Sequence, residues 1–352
     1  MGQWVGRYRG PCLGVAGVER IAVMRALHLG DLLCSVPALR ALKGRFPGAE
    51  ITLIGLPWAR AVIHRYPYVD RFLEFPGYEG LEGVPWEPGR TEAFLEDARA
   101  YGYDLAIQLH GDGRVSNGFV ARLGARVSLG YRPSGGNHVR QLDLELVWAD
   151  GEQEIARWMR LVETLGADGG PDLEFPLTSE DRVEMERVAE EEGIDLERPV
   201  VGIHPGGKEP AKRWPEESFA EVADHLADRL GAQVVISGTA EEMPVAQRVA
   251  SAMRHRPFLL AGKTSLGALG ALMARMALVV TNDTGPSHLA AAVGVPSVIL
   301  FGPTDPARWA PPDRRTHRAL WSGRGNPISC IPTELVLAES LRLVERWAYP
   351  MS

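Results

Sequence analysis

The sequence predicts an α/β protein made of two Rossmann-like, doubly wound domains facing each other across a cleft. Three observations carry that prediction. Short runs rich in aliphatic and β-branched residues alternate with longer stretches of helical apolar spacing, the pattern of parallel βαβ units. The alternation runs through two series of similar size, one on each side of a turn-rich segment, residues 167–176, that holds Asp168-Gly169-Gly170-Pro171-Asp172. The length of 352 residues also fits two domains on a prior of about 150 residues each.

Composition excludes several classes. A hydrophobic fraction of 45% and a charged fraction of 24% are those of an ordinary globular chain. A net charge of −7 argues against a general nucleic-acid binder. No apolar run reaches membrane-spanning length. Residues 1–17 carry scattered arginines and no sustained apolar core, so they read as a leader and not a secretory signal. Cys12, Cys34 and Cys330 form no Cys-x-x-Cys pair, which favours a reducing cytoplasm, no structural zinc and buried, small-residue roles.

In the first series, strands are expected at residues 21–25, 51–54, 71–75, 104–109 and 127–131. Helices are expected at 32–45, 58–65, 92–101, 115–123 and 152–165. Pro37 falls in the second turn of the first helix, where it removes a hydrogen bond or bends the axis. Residues 77–89 and 130–141 read as exposed loops. A charged helix at 180–192 opens the second series. Its strands are expected at 200–204, 233–237, 258–260, 277–280 and 297–301, and its helices at 215–230, 241–254, 266–274 and 287–293. Residues 333–347 form a last amphipathic helix.

Four motifs sit where such sheets bind ligands, beyond the carboxyl ends of strands. His28-Leu29-Gly30-Asp31 follows the first strand. A carboxylate there lies at a helix N-terminus, and its plainest role is to cap that helix. Pro205-Gly206-Gly207-Lys208 follows strand 200–204. Its spacing from Gly202 imitates a P-loop, but Glu209 stands where Ser or Thr would hold magnesium. A glycine loop whose N–H groups approach phosphate is the better reading, and Lys212-Arg213-Trp214-Pro215 comes next. Glu241 and Glu242 follow strand 233–237, where an acid either matches a helix dipole or meets a ribose. Strand 277–280 stops at Asn282-Asp283-Thr284-Gly285-Pro286. There the exposed N–H groups of a first helical turn, with Thr284, Ser287 and His288, make an anion site.

Together these motifs resemble glycosyltransferase family 9, the ADP-heptose:lipopolysaccharide heptosyltransferases. Asp-Thr-Gly-Pro-Ser-His (283–288) resembles the family's nucleotide-sugar diphosphate loop, Gly30-Asp31 its catalytic Gly-Asp, Lys212-Arg213-Trp214-Pro215 its Lys-x-Trp-Pro element, and Gly302-Pro303-Thr304-Asp305-Pro306 its Gly-Pro-Thr-x-Pro turn. The likeness runs from about Arg20 to the C-terminus. It implies the GT-B arrangement: an acceptor domain at residues 1–170, a nucleotide-sugar domain at 171–332, and a C-terminal helix, 333–352, crossing back to the first domain. It implies inverting transfer of a heptose from ADP-L-glycero-D-manno-heptose to a hydroxyl of the lipopolysaccharide inner core. Asp31 would be the base and Lys212 the cation on the departing diphosphate. Gly206, Gly207, Glu241 or Glu242, Asp283, Thr284, Gly285, Ser287, His288 and Thr304 would hold the donor. Arg114, Arg132 and Arg140 would face an anionic lipid-linked acceptor, or form a solvated basic surface. No metal or cofactor enters, and the place of work would be the cytoplasm, at the inner face of the inner membrane.

Departures are the leader, His28-Leu29 where serines are common, and a single cysteine in 321–331. Alternatives are another nucleotide-sugar donor, a nucleotide-sugar epimerase, or a non-catalytic glycan scaffold.

Overall fold

The computed structural model describes residues 14–135 and 139–348. Cys12, most of the leader and His138, a further member of the basic region 114–140, lie outside the described residues. The chain divides into two compact units, Met1–Asp172 and Leu173–Ser352.

The first unit contains β1 (Arg20–Met24), α1 (Leu29–Arg45), β2 (Glu50–Gly55), α2 (Arg60–Ile63), β3 (Arg71–Glu74), α3 (Pro88–Tyr101), β4 (Leu105–Gln108), α4 (Ser116–Ala121), β5 (Val127–Arg132), β6 (Leu144–Val147) and α5 (Glu154–Glu163). Its six parallel strands run in the order β3-β2-β1-β4-β5-β6. The second unit contains α6 (Ser179–Glu192), β7 (Val200–His204), α7 (Glu216–Leu230), β8 (Gln233–Ile236), α8 (Met243–Ala252), β9 (Phe258–Leu259), α9 (Leu266–Met273), β10 (Leu278–Asn282), α10 (Gly285–Ala292), β11 (Ser297–Phe301), α11 (Pro306–Trp309), β12 (His317–Trp321) and α12 (Thr333–Ala348). Its order, β12-β11-β10-β7-β8-β9, repeats the first when each sheet is counted from its own first strand. In both, the chain reverses direction across the sheet between the first and fourth strands. That switch point opens a crevice at the strand carboxyl ends, at β1/β4 in one unit and β7/β10 in the other.

Burial on both faces explains why the central strands read as continuous apolar runs: β1, β4, β7, β10 and β11 are buried almost throughout. The edge strands β6 and β12 were not expected. They are half-exposed and carry polar residues, as in His317-Arg318-Ala319-Leu320-Trp321. Gly130, Tyr131 and Arg132 belong to β5 and not to the loop expected at 130–141, because Tyr131 is fully buried and its hydroxyl donates to the Arg157 carbonyl.

Helix α1 begins at Leu29, three residues before the expected start, so Asp31 lies in the first turn and Pro37 in mid-helix. The closing helix α12, which the resemblance sends back to the first domain, packs within the second unit on α7, β10 and β11, with Val336 and Leu343 in that unit's core. Cys34 is buried, whereas Cys330 is exposed and is not a core residue. Among the described residues, no helix is long and apolar enough to cross a membrane.

Candidate active site

At the β1/β4 switch point the first unit gathers Arg25, Asp31 and His110. Arg25, one residue beyond β1, is buried to the point that its side chain has no exposure. Its Nε donates to the Asp31 carbonyl at 2.9 Å and its Nη2 to Asp31 Oδ1 at 3.2 Å, while Nη1 donates to the Leu109 carbonyl. The Asp31 side chain keeps 20% of its exposure, and among the described residues its Oδ2 has no hydrogen-bond partner. The sequence reading of Asp31 as a plain N-cap does not hold: His28 occupies the N-cap position and Asp31 caps no backbone N–H.

His110, two residues past β4, was not anticipated. Its Nδ1 accepts the Ala26 N–H at 3.3 Å, which leaves the proton on Nε2. Burial first, and the Arg25 charge second, push its pKa down to about 4, against a smaller opposing pull from Asp31. A free histidine titrates near 6.5. Above that pH the ring is neutral folded or unfolded and adds no pH dependence. Between about 6.5 and 4 only the unfolded chain takes up the proton, so stability falls as pH falls through this window. His317 in β12 is pushed down to about 4 as well, chiefly by burial. Each ring should contribute about 3 kcal/mol of acid sensitivity. Urea midpoints at pH 7.5, 5.5 and 4.5 should decline accordingly, and His110→Gln should flatten part of the decline.

The basic candidates lie on the same carboxyl edge, beyond β4 and β5. Arg114 is exposed and pairs with Asp112 at 3.2 Å. Arg132 ends β5 half-buried. Arg140 spends its Nε on the Leu142 carbonyl at 2.8 Å.

At the β7/β10 switch point the second unit assembles a glycine loop, a lysine and a helix N-terminus. Asn282, the last residue of β10, is fully buried and holds these parts together. Its Nδ2 donates to the carbonyls of Pro205 and Gly206 at 2.9 and 3.0 Å, and its Oδ1 accepts the Trp214 N–H at 3.1 Å. One side chain therefore fixes the Gly206-Gly207 loop relative to the Lys212–Pro215 segment. Nothing in the local sequence distinguishes this Asn from any other turn residue. Arg213 turns back to the Gly207 carbonyl at 2.7 Å, which leaves Lys212 as the cation of the pair. Its Nζ stands 3.9 Å from Asp283 Oδ2 and 3.7 Å from Glu209 Oε1.

Asp283 is buried and accepts the Thr304 hydroxyl at 2.6 Å. These two residues thus brace Lys212 and the turn after β11, and a phosphate would be repelled from the Asp283 carboxylate. Thr284 and Gly285 open α10, and among the described residues their amide N–H groups have no acceptor in the chain. Ser287 is a correction to the expected donor set: its N–H and its hydroxyl both donate to the Thr284 carbonyl, at 3.0 and 2.7 Å. His288 is buried, with its ring 6.3 Å from that of Trp309 in an edge-on packing contact.

Glu241 and Glu242 part company. Glu241 is exposed, its carboxyl held below the usual range by its own N–H and then by Thr239. Glu242 turns inward, accepting the N–H groups of Gly207 at 2.7 Å and Thr239 at 2.8 Å. Behind it His204 is fully enclosed, its pKa pushed down by burial against the opposing pull of Glu242. Its Nδ1 lies 3.1 Å from Ser237 Oγ.

A family model, Glycosyltransferase family 9 (heptosyltransferase), matches residues 92–330. The chain is similar to lipopolysaccharide heptosyltransferase 2 of Escherichia coli (strain K12), with 30% identity over 299 residues, 82% of this chain and 84% of that one. Among solved structures it resembles the glycosyl transferase family 9 from Veillonella parvula DSM 2008, with a TM-score of 0.81 at 24% identity over 93% and 98% of the two chains. It also resembles the E. coli ADP-heptose lps heptosyltransferase II, with a TM-score of 0.73 at 26% identity over 94% and 100%.

Proposed function

The chain belongs to glycosyltransferase family 9, and from that premise we propose that it transfers a heptose from ADP-L-glycero-D-manno-heptose to a hydroxyl of the lipopolysaccharide inner core, with inversion at the anomeric carbon. The observation that carries the reading is the content of the two switch points. One holds a carboxylate with an uncommitted oxygen, and the other a phosphate cradle with a braced lysine.

In this scheme Asp31 Oδ2 takes the proton of the acceptor hydroxyl as that oxygen attacks the anomeric carbon. The C–O bond to the diphosphate breaks on the opposite face, and ADP leaves with the electron pair. Lys212 and the N–H groups of Thr284 and Gly285 meet the charge that develops on the leaving diphosphate. Donors preorganised in this way stabilise a transition state by roughly 3 kcal/mol each. Asp283 and Thr304 hold Lys212 and the turn beside it. Glu242, rather than Glu241, meets the ribose, since Glu242 turns inward to the Gly206-Gly207 loop while Glu241 is exposed. Arg114, Arg132 and Arg140 take anionic groups of a lipid-linked acceptor, and the enzyme works at the cytoplasmic face of the inner membrane.

Calorimetric titration with ADP, UDP and GDP tests the donor half. ADP should bind and the other two should not. Lys212→Ala should weaken ADP about tenfold or more, the loss of one charge-assisted contact. Preference for UDP would replace the donor assignment, and ADP affinity indifferent to Lys212→Ala would remove that residue from the phosphate site.

A further inference from the structure

We infer that Arg25 is a positioning residue for Asp31, a device that fixes which carboxylate oxygen acts and where it points; the inference rests on Asp31 being the base. Arg25 cannot touch substrate itself, because its side chain has no exposure. It reaches Asp31 twice, at the backbone carbonyl (2.9 Å) and at Oδ1 (3.2 Å). The first contact locks the opening turn of α1. The second occupies one oxygen and leaves Oδ2 as the one that can receive a proton.

The guanidinium is itself held from three other sides. The Leu109 carbonyl beyond β4 accepts from Nη1. Glu154, in the first turn of α5, places Oε1 3.6 Å from Nη2. Trp158, one turn further along α5, lies under the guanidinium plane at 4.7 Å. β1, α1, the end of β4 and α5 therefore converge on one planar cation. A lysine would carry the same charge but has no fork with which to grip carbonyl and carboxylate together. Such a cation is tolerated in the interior because a buried charge needs a partner: Asp31 Oδ1 at 3.2 Å and Glu154 at 3.6 Å share that role, the Glu154 carboxylate also lying 3.4 Å from Arg157 Nε.

The test is a cycle of Arg25→Lys and Asp31→Ala in the full chain, with ADP-heptose and a core acceptor, read by steady-state kinetics and by single turnovers with enzyme in excess. Arg25→Lys should lower kcat about 10- to 100-fold, the usual cost of a reacting group displaced by about 1 Å, with KM for ADP-heptose within about twofold. In the Asp31→Ala background it should lower the residual rate by less than about twofold, since there is no carboxylate left to position. Equal losses in both backgrounds, or losses of kcat and donor affinity together, would overturn the inference in favour of general structural damage. An unchanged kcat in Arg25→Lys would overturn it outright. Full activity of Asp31→Ala would instead refute the base assignment, whatever Arg25 does. If Arg25→Lys fails to fold, Glu154→Gln enters the same cycle under the same criteria: it leaves the fork intact and weakens its anchorage from α5.

Discussion

Asp31→Ala should lower kcat by about 10² to 10⁴-fold, the range a positioned general base supplies, while ADP affinity stays within about twofold. The two effects separate because Asp31 belongs to the first unit and the proposed ADP contacts to the second. Asp31 caps no backbone N–H, so its removal orphans no helix donor. It does strip Arg25 of its contact with Oδ1, but Arg25 keeps the Asp31 carbonyl, the Leu109 carbonyl and Glu154. The fold should therefore survive. Rapid quench with ADP-heptose, alongside ADP calorimetry on the same preparation, reads both quantities. Loss of rate and of ADP binding together would point to misfolding, and retention of the rate would end the case for Asp31 as base.

Gly206→Ala should weaken ADP about tenfold or more and should also lower thermal stability, by about 1–3 kcal/mol as for other overpacked sites. A Cβ on Gly206 would lie 2.3 Å from Glu242 Oε1 and 2.4 Å from its Cδ. Relief by rotation of Glu242 is blocked, because that carboxylate holds the Gly207 and Thr239 N–H groups. Nor can the loop shift freely, since Asn282 holds the carbonyls on both sides of the Gly206 amide. Adding Glu242→Ala relieves the clash. Gly206→Ala should then cost little beyond what Glu242→Ala costs alone, because neighbouring changes of this kind do not add. An additive result in calorimetry and thermal melts would locate the damage elsewhere.

Sequence periodicity located the central strands and most of the helices, because elements buried on one or both faces must declare their apolar pattern. It failed at one rim of each sheet. β6 and β12 are edge strands half in solvent, and their pairing with β5 and β11, not their composition, makes them strands. The motifs likewise lay open in the sequence: Gly30-Asp31, Gly206-Gly207, Lys212 and the 283–288 loop each follow a strand, and strand ends are where such sheets bind. The residues that hold these motifs did not show. Asn282 looked like one more turn residue, His110 a lone histidine and Arg25 a lone arginine, since their partners are 6 to 133 positions away.

What the sequence by itself determined about this protein is therefore the class of fold and which residue types stand at the strand ends, since both depend on local pattern: apolar period, glycine where backbone must come close, a carboxylate or a lysine after a strand. What only the tertiary structure decided is which of those groups are available. It committed the Ser287 donors to the Thr284 carbonyl, turned Glu242 inward and Glu241 outward, and closed one oxygen of Asp31 with Arg25. Hydrogen bonds saturate and burial is set by neighbours distant in the chain, so the freedom of a polar group is a property of the folded surroundings and not of the residue.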